Sequence, residues 1–222
     1  MQKKHGLLLA AIFCLASLSA QAADTIATTL QKQYANVSTM RSVFVQTLSH
    51  KESGAVEERK GVLYFQKPML VRWETSEPER ELLLVNTRDI WNEFGDESLV
   101  YRYSLSLVED SRSIVRVITG QSRIDQDFSV AEEGKENGLA KLRLYPHEPT
   151  QSMVEVLLWV DSIGLIKKVR VYDFYGNTNE IAFSSHALGI ALPAKIFDYT
   201  PPRDFTLEDR RESPTGAKNP LL

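Results

Sequence analysis

Two hydrophobic periods divide this chain. Over residues 24–36, Ile26, Leu30 and Tyr34 stand at i, i+4 and i+8, and Ala27 joins their stripe. That spacing predicts an amphipathic helix, with Asp24 or Thr25 available as its cap. Beyond it the period falls to two. Segments 41–49, 57–66, 70–75, 81–86, 90–94, 99–104, 127–132, 139–145, 153–161, 165–173 and 179–185 read as strands. Turn residues such as Ser53-Gly54, Lys67-Pro68, Glu77-Pro78, Gly95-Asp96, Asn137-Gly138 and Gly176-Asn177 separate them. Connections this short join antiparallel neighbours, because parallel strands need crossovers of roughly a dozen residues. The expected fold is mainly β (α+β), with about eleven antiparallel strands.

One stretch departs from this rhythm. Ile114, Val115, Val117 and Ile118 lie close together before Gly120, which predicts a helix over 111–119. This helix and the first one can cover the same sheet face. Residues 62–65, 82–85 and 156–160 are apolar on both faces. A sheet wet on one side alternates more cleanly. Two-sided apolarity fits an ordinary sandwich or barrel core, or a strongly curved sheet whose inner face lines a volume.

Composition adds a compartment. Lys3, Lys4 and His5 precede an apolar run over 6–18, and Ala20-Gln21-Ala22 puts small residues at −3 and −1 of a cleavage site. Residues 1–22 are expected to be a secretory signal, with the mature chain starting at Ala23. The run is short of the roughly 20 apolar residues a membrane helix needs. Phe13 before Cys14 argues against a lipoprotein signal. A periplasmic location is expected. Residues 23–209 are expected to form one domain. Residues 210–222, polar with one Gly and two Pro, read as a disordered tail. Losing Lys3 and Lys4 moves the formal charge from −3 to −5, which speaks against nucleic acid as a partner. Cys14 is the single cysteine and leaves with the signal. The mature chain then has no disulfide and no thiolate chemistry.

The candidate chemistry is sparse. His50, His147 and His186 lie far apart, without the spacing of a zinc site. No G-x-S-x-G elbow is present. A hydrolase requires a serine and a histidine to meet in a cleft, with His147 and His186 as the candidate histidines. Acidic pairs such as Glu57-Glu58 and Glu132-Glu133 sit at strand ends or turns and read as solvated edge charges. No enzyme activity, cofactor or metal is expected. An exported strand-rich chain with this lining is expected to bind an apolar ligand.

The order of short motifs narrows the reading. Phe44-Val45-Gln46 is followed by residues 61–74, which run Gly-strand-Lys67-Pro68 turn and then Arg72-Trp73-Glu74. Asp89-Ile90-Trp91, Asp161-Ser162-Ile163-Gly164, Asp173–Asn177, Ile181-Ala182-Phe183 and a closing Pro193, Phe197 and Pro201-Pro202 complete the series. This resembles the outer-membrane lipoprotein carrier family, the LolA-type periplasmic chaperones, over about residues 24–209. The resemblance implies an incomplete antiparallel β-barrel of about eleven strands, closed by the N-terminal helix and an inserted lid helix. It also implies a monomeric carrier of triacylated lipoproteins, with an inner-membrane ABC lipoprotein exporter and an outer-membrane lipoprotein receptor as partners. A free lipid or glycolipid is an alternative cargo, and a non-enzymatic sensor or adaptor domain an alternative role.

The residues expected to line the acyl-chain cavity are Leu30, Tyr34, Phe44, Leu63, Val71, Trp73, Leu84 and Trp91. Those of the lid are Ile114, Val115 and Ile118. The resemblance also implies a lid latch at Lys67, where the family places an arginine that hydrogen-bonds lid backbone. Lysine is a point donor without the planar fork of arginine, so the latch here is expected to be weaker or built differently.

Overall fold

The computed structural model describes residues 25–109 and 114–211. The expected signal segment and nearly all of the expected tail lie outside them, as do residues 110–113 at the start of the expected lid helix. The elements in order are α1 (Ile26–Asn36), β1 (Thr39–Ser49), β2 (Val56–Gln66), β3 (Leu70–Glu77), β4 (Glu81–Val85), β5 (Ile90–Phe94) and β6 (Leu99–Tyr103). Then come α2 (Ser106–Glu109), α3 (Ile114–Ile118), α4 (Ile124–Asp127), β7 (Phe128–Glu136), β8 (Leu139–Pro146), β9 (Glu155–Val160), β10 (Ile166–Tyr172), β11 (Thr178–Leu188) and β12 (Thr206–Asp209). Thr25 caps α1, its hydroxyl accepting from the Thr28 amide at 3.2 Å.

The strands form one sheet in the order β12-β6-β5-β4-β3-β2-β1-β11-β10-β9-β8-β7. Neighbours are antiparallel hairpins except for β1 with β11, which joins the two halves, and β12 with β6. The edges β12 and β7 do not pair, so the sheet is an open, curved half-barrel.

The expected open half-barrel of about eleven strands stands, with two refinements. The strands number twelve rather than eleven, and the twelfth runs parallel to β6, with Thr206 beside Leu99 and Asp209 beside Arg102. All four β12 side chains are exposed, so no alternation marks it in the sequence. The ladder continues past the expected domain end, where Arg210 donates its amide to the Arg102 carbonyl at 2.8 Å. The single inserted helix is instead three short ones, α2 to α4. α3 stops at Gly120, whose φ of +67° suits glycine and ends the turn.

Strand parity separates two faces. Leu83 and Val85 of β4, Ile90 of β5 and Tyr103 of β6 point inward, into one large apolar cluster that spans the sheet. Leu84, Trp91 and Val100 point outward into a second cluster, covered by Leu82, Tyr199 and Phe205. On β9, Val156, Leu158 and Val160 point inward. Leu157 and Trp159 point outward, yet each is only 3% exposed. The Lys168 ammonium lies 3.8 Å from the Trp159 ring centroid, with Lys141 and Arg170 close by. Their stems shelter the indole while the charges stay wet. The two-sided apolar strands thus have two causes. A C-terminal strap covers the outer face at β4–β6, and long basic side chains cover it at β9.

Candidate ligand-binding interior

The inner face begins as an apolar floor. Phe44 of β1, Leu63 of β2, and Val71 and Trp73 of β3 stand side by side on neighbouring strands, with Phe44 and Trp73 ring centroids 4.8 Å apart. Leu30 and Tyr34 of α1 press onto the same cluster from above, joined by Val115 and Ile118 of α3. Six of the eight expected lining residues and two of the three lid residues therefore meet. Ile114 opens α3, and its side chain lies outside the described part. Leu84 and Trp91 do not join them. They lie on the outer face, where the Arg102 guanidinium stacks 4.8 Å from the Trp91 ring. None of the six that meet exceeds 8% exposure, so the floor is packed against its cover.

Backbone approach seats α1. Gly164, in the turn between β9 and β10, has a φ of +86°, and a Cβ there would fall 2.6 Å from the Thr29 carbonyl oxygen. A Cβ on Gly120 would fall 2.2 Å from the Tyr34 ring. Side chains larger than hydrogen would lift the helix from both places. The Tyr34 hydroxyl accepts a hydrogen bond from the Ile166 amide at 3.3 Å, and burial pushes its ionisation well above the usual tyrosine range.

Lys67 holds the far end of the helix. Its ammonium donates to the Tyr34 carbonyl at 2.9 Å and the Ala35 carbonyl at 2.6 Å. These carbonyls belong to the last turn of α1, where the helix leaves acceptors unpaired and its dipole favours a cation. A point charge serves two diverging carbonyls without needing a planar fork.

The apolar floor gives way to polar residues toward the β1–β2 and β3–β4 turns. Arg59 donates to Glu57 at 2.6 Å and to Glu81 at 2.8 Å, and Gln46 donates to Asn179 at 3.0 Å. Burial raises the Glu81 carboxyl, against the pull of Arg59 and Asn92. A pocket of about 120 Å³ opens there, lined by Arg59, Thr75, Glu81 and Phe94 among others. Asn92 and Glu93, adjacent in sequence, part company. Asn92 is 2% exposed on the inner face, whereas Glu93 accepts from the Tyr199 hydroxyl outside at 2.5 Å.

Sequence reasoning missed one contact on the inner face. Ser42 Oγ and His186 Nδ1 lie 2.7 Å apart. His147 instead has its Nδ1 at 2.9 Å from the Gln126 carbonyl.

Together these features define a half-barrel protein whose apolar concave face is covered by helices. The sequence model of one family, described as "Outer membrane lipoprotein carrier protein LolA", matches residues 35–200, and the chain belongs to that family. An outer-membrane lipoprotein carrier protein of Chromobacterium violaceum is 26% identical over 196 residues, covering 88% of this chain and 93% of its own. The protein of the same name from Nitrosospira multiformis is 25% identical over 167 residues, covering 75% and 80%. Among solved structures, an uncharacterised conserved protein of Thermus thermophilus superposes with a TM-score of 0.53 at 13% identity, covering 83% of this chain and 97% of that one. That likeness bears on the fold.

Proposed function

We propose that this chain is a periplasmic chaperone that shields the acyl chains of lipoproteins and carries them from the inner to the outer membrane. The observation that carries this reading is the continuous apolar floor beneath α1, in a chain of the lipoprotein carrier family. A sixteen-carbon acyl chain costs on the order of 12 kcal/mol to hold in water, at about 0.8 kcal/mol per CH₂. Free diffusion through an aqueous space is closed to it, and a covered apolar face removes that cost.

Release has to remain possible. In the closed state Leu30 and Tyr34 already cover the floor. Their exposure costs about 1.5–3 kcal/mol each, and breaking the Lys67 contacts adds to that. An entering acyl chain replaces one apolar cover with another, so most of its burial energy is offset. Binding is then strong enough to hold the chain and weak enough for a receptor to take it. No step requires a cofactor or a bond to be made.

In this reading the cargo is a triacylated lipoprotein, received from an ABC exporter and passed to an outer-membrane receptor. The test uses inner-membrane vesicles with an active exporter, to which the mature protein is added. A lipoprotein should appear in the soluble fraction as a complex with it. If none is released, the reading fails. Mass spectrometry of co-purified ligand separates it from carriage of a free lipid or glycolipid, since only the first gives protein-linked acyl groups.

A further inference from the structure

The Ser42–His186 pair sits on the inner face, at the seam where β1 meets β11. Register there is irregular: Arg41 pairs with Ala187 but Val43 pairs with Ser184. Ser42 thus faces two residues, Ser185 and His186, and Ser185 has a φ of +50°. This is a β-bulge with a non-glycine residue in the left-handed region, a local cost that such sites carry for a purpose. Its effect is to reset the alternation. Phe183 points inward opposite Phe44, and without the extra residue His186 would point outward. With it, His186 turns inward and its ring lies 5.9 Å from that of Phe183.

Ser42 is 0% exposed. The Nε2 atom of His186 is buried and has no hydrogen-bond partner among the described residues. Burial, and next the Lys167 ammonium, hold the imidazole down to about 4, against a counter-pull from Asp161. The ring is therefore neutral near pH 7. Neutral imidazole offers one donor and one acceptor. With the serine hydroxyl donating into Nδ1, Nε2 carries the proton and is a donor without an acceptor. Buried donors are seldom left so in native proteins.

We propose that His186 Nε2–H is a binding contact for the carbonyl of an acyl ester or amide, with Ser42 fixing the tautomer that presents it. The inference rests on the carrier reading and deepens it. The floor recognises hydrocarbon of any kind, whereas this donor distinguishes an acyl head from plain hydrocarbon. Four features converge: a bulge that re-aims the ring, a buried hydroxyl in contact with it, neutrality at working pH, and an unpartnered ring nitrogen beside the apolar floor.

The test compares two fluorescent probes on the intact mature protein. Methyl parinarate carries an ester, and diphenylhexatriene is hydrocarbon alone. His186→Phe keeps the ring volume and should weaken methyl parinarate about fivefold, the worth of one hydrogen bond, while leaving diphenylhexatriene within about twofold. Ser42→Ala should weaken the ester by a smaller factor, and His186→Gln, which keeps a donor, should restore part of the loss. Thermal melts should show His186→Phe folded, the loss of the unpartnered ring nitrogen offsetting part of the cost of leaving the buried Ser42 hydroxyl without its partner. Equal effects on both probes, or no effect on the ester, would overturn the inference. So would release of free parinaric acid, which would make the pair hydrolytic. If diphenylhexatriene failed to bind the unaltered protein, the carrier reading would fall and this inference with it.

Discussion

Lys67→Met isolates the contact that fastens α1. Methionine keeps the length and much of the volume of lysine but removes the ammonium. Two hydrogen bonds to the Tyr34 and Ala35 carbonyls disappear, at 2.9 and 2.6 Å. A hydrogen bond to a charged group is worth about 1.5–3 kcal/mol, and a cation at a helix C-terminus about 0.3–1 kcal/mol. Lys67 is only half-buried, and screening lowers these figures. A joint loss of about 1.5–2 kcal/mol is expected, which raises the population of detached helix roughly ten- to thirtyfold. Hydrogen exchange reads this directly. Amides of residues 30–36 should exchange faster by that factor, while those of β1 and β2 stay unchanged. Diphenylhexatriene should also bind faster, because the floor is uncovered more often. Lys67→Arg should keep α1 exchange within about twofold of the original, since arginine also places donors there. Unchanged exchange in α1 would refute the latch. Acceleration spread evenly over the sheet would refute it too, because that pattern marks global loosening.

Other expectations follow from the same geometry. Gly164→Ala places a Cβ against the Thr29 carbonyl at a φ of +86°, and should cost about 1–3 kcal/mol; an unchanged melting temperature would count against the seat described for α1. Trp91→Ala should destabilise by about 3–5 kcal/mol yet leave diphenylhexatriene affinity of the folded protein intact, because Trp91 faces outward; weaker dye binding would place it on the ligand face after all. The His186 ring is lowered from 6.5 to about 4 in the folded protein. Between those values the unfolded chain holds a proton that the native one does not. Stability should be level above about pH 6.5 and fall as pH drops from 6.5 toward 4. His186→Phe should remove that part of the slope in melts taken from pH 4 to 7, and an identical slope would refute it.

Much of the fold could be read from the chain. The Ile26–Leu30–Tyr34 stripe gave α1, and alternation located eleven strands to within a few residues. Parity within a strand sorts residues into two faces but does not say which face is inside. Leu82 to Val85 are all apolar, so parity could not assign Leu84. Its placement depends on Tyr199 and Phe205, which reach it from more than a hundred residues away in sequence. β12 left no trace because it is a solvent-facing edge whose four side chains are all exposed. Val71 and Trp73 were legible by alternation about Arg72, and Phe44 and Leu63 by their place in the order of motifs. Lys67 was legible by its place before Pro68, though its partners were not. Ser42 and His186 were invisible as a pair, since only a bulge at Ser185 brings them to one face.

The parallel pairing of β12 with β6 has a consequence for the order in which the molecule can be assembled. Every hairpin of the sheet can close once its two strands exist. The outer cluster of Leu84, Trp91 and Val100 cannot, because its cover arrives with residues 199–205 and is pinned by the last strand. Until residues 199–209, in the last tenth or so of the sequence, are in place, a protein that hides hydrocarbon from water displays a greasy surface of its own. Truncation near residue 198 should therefore yield a chain that keeps its inner floor but sticks to its own copies through its back.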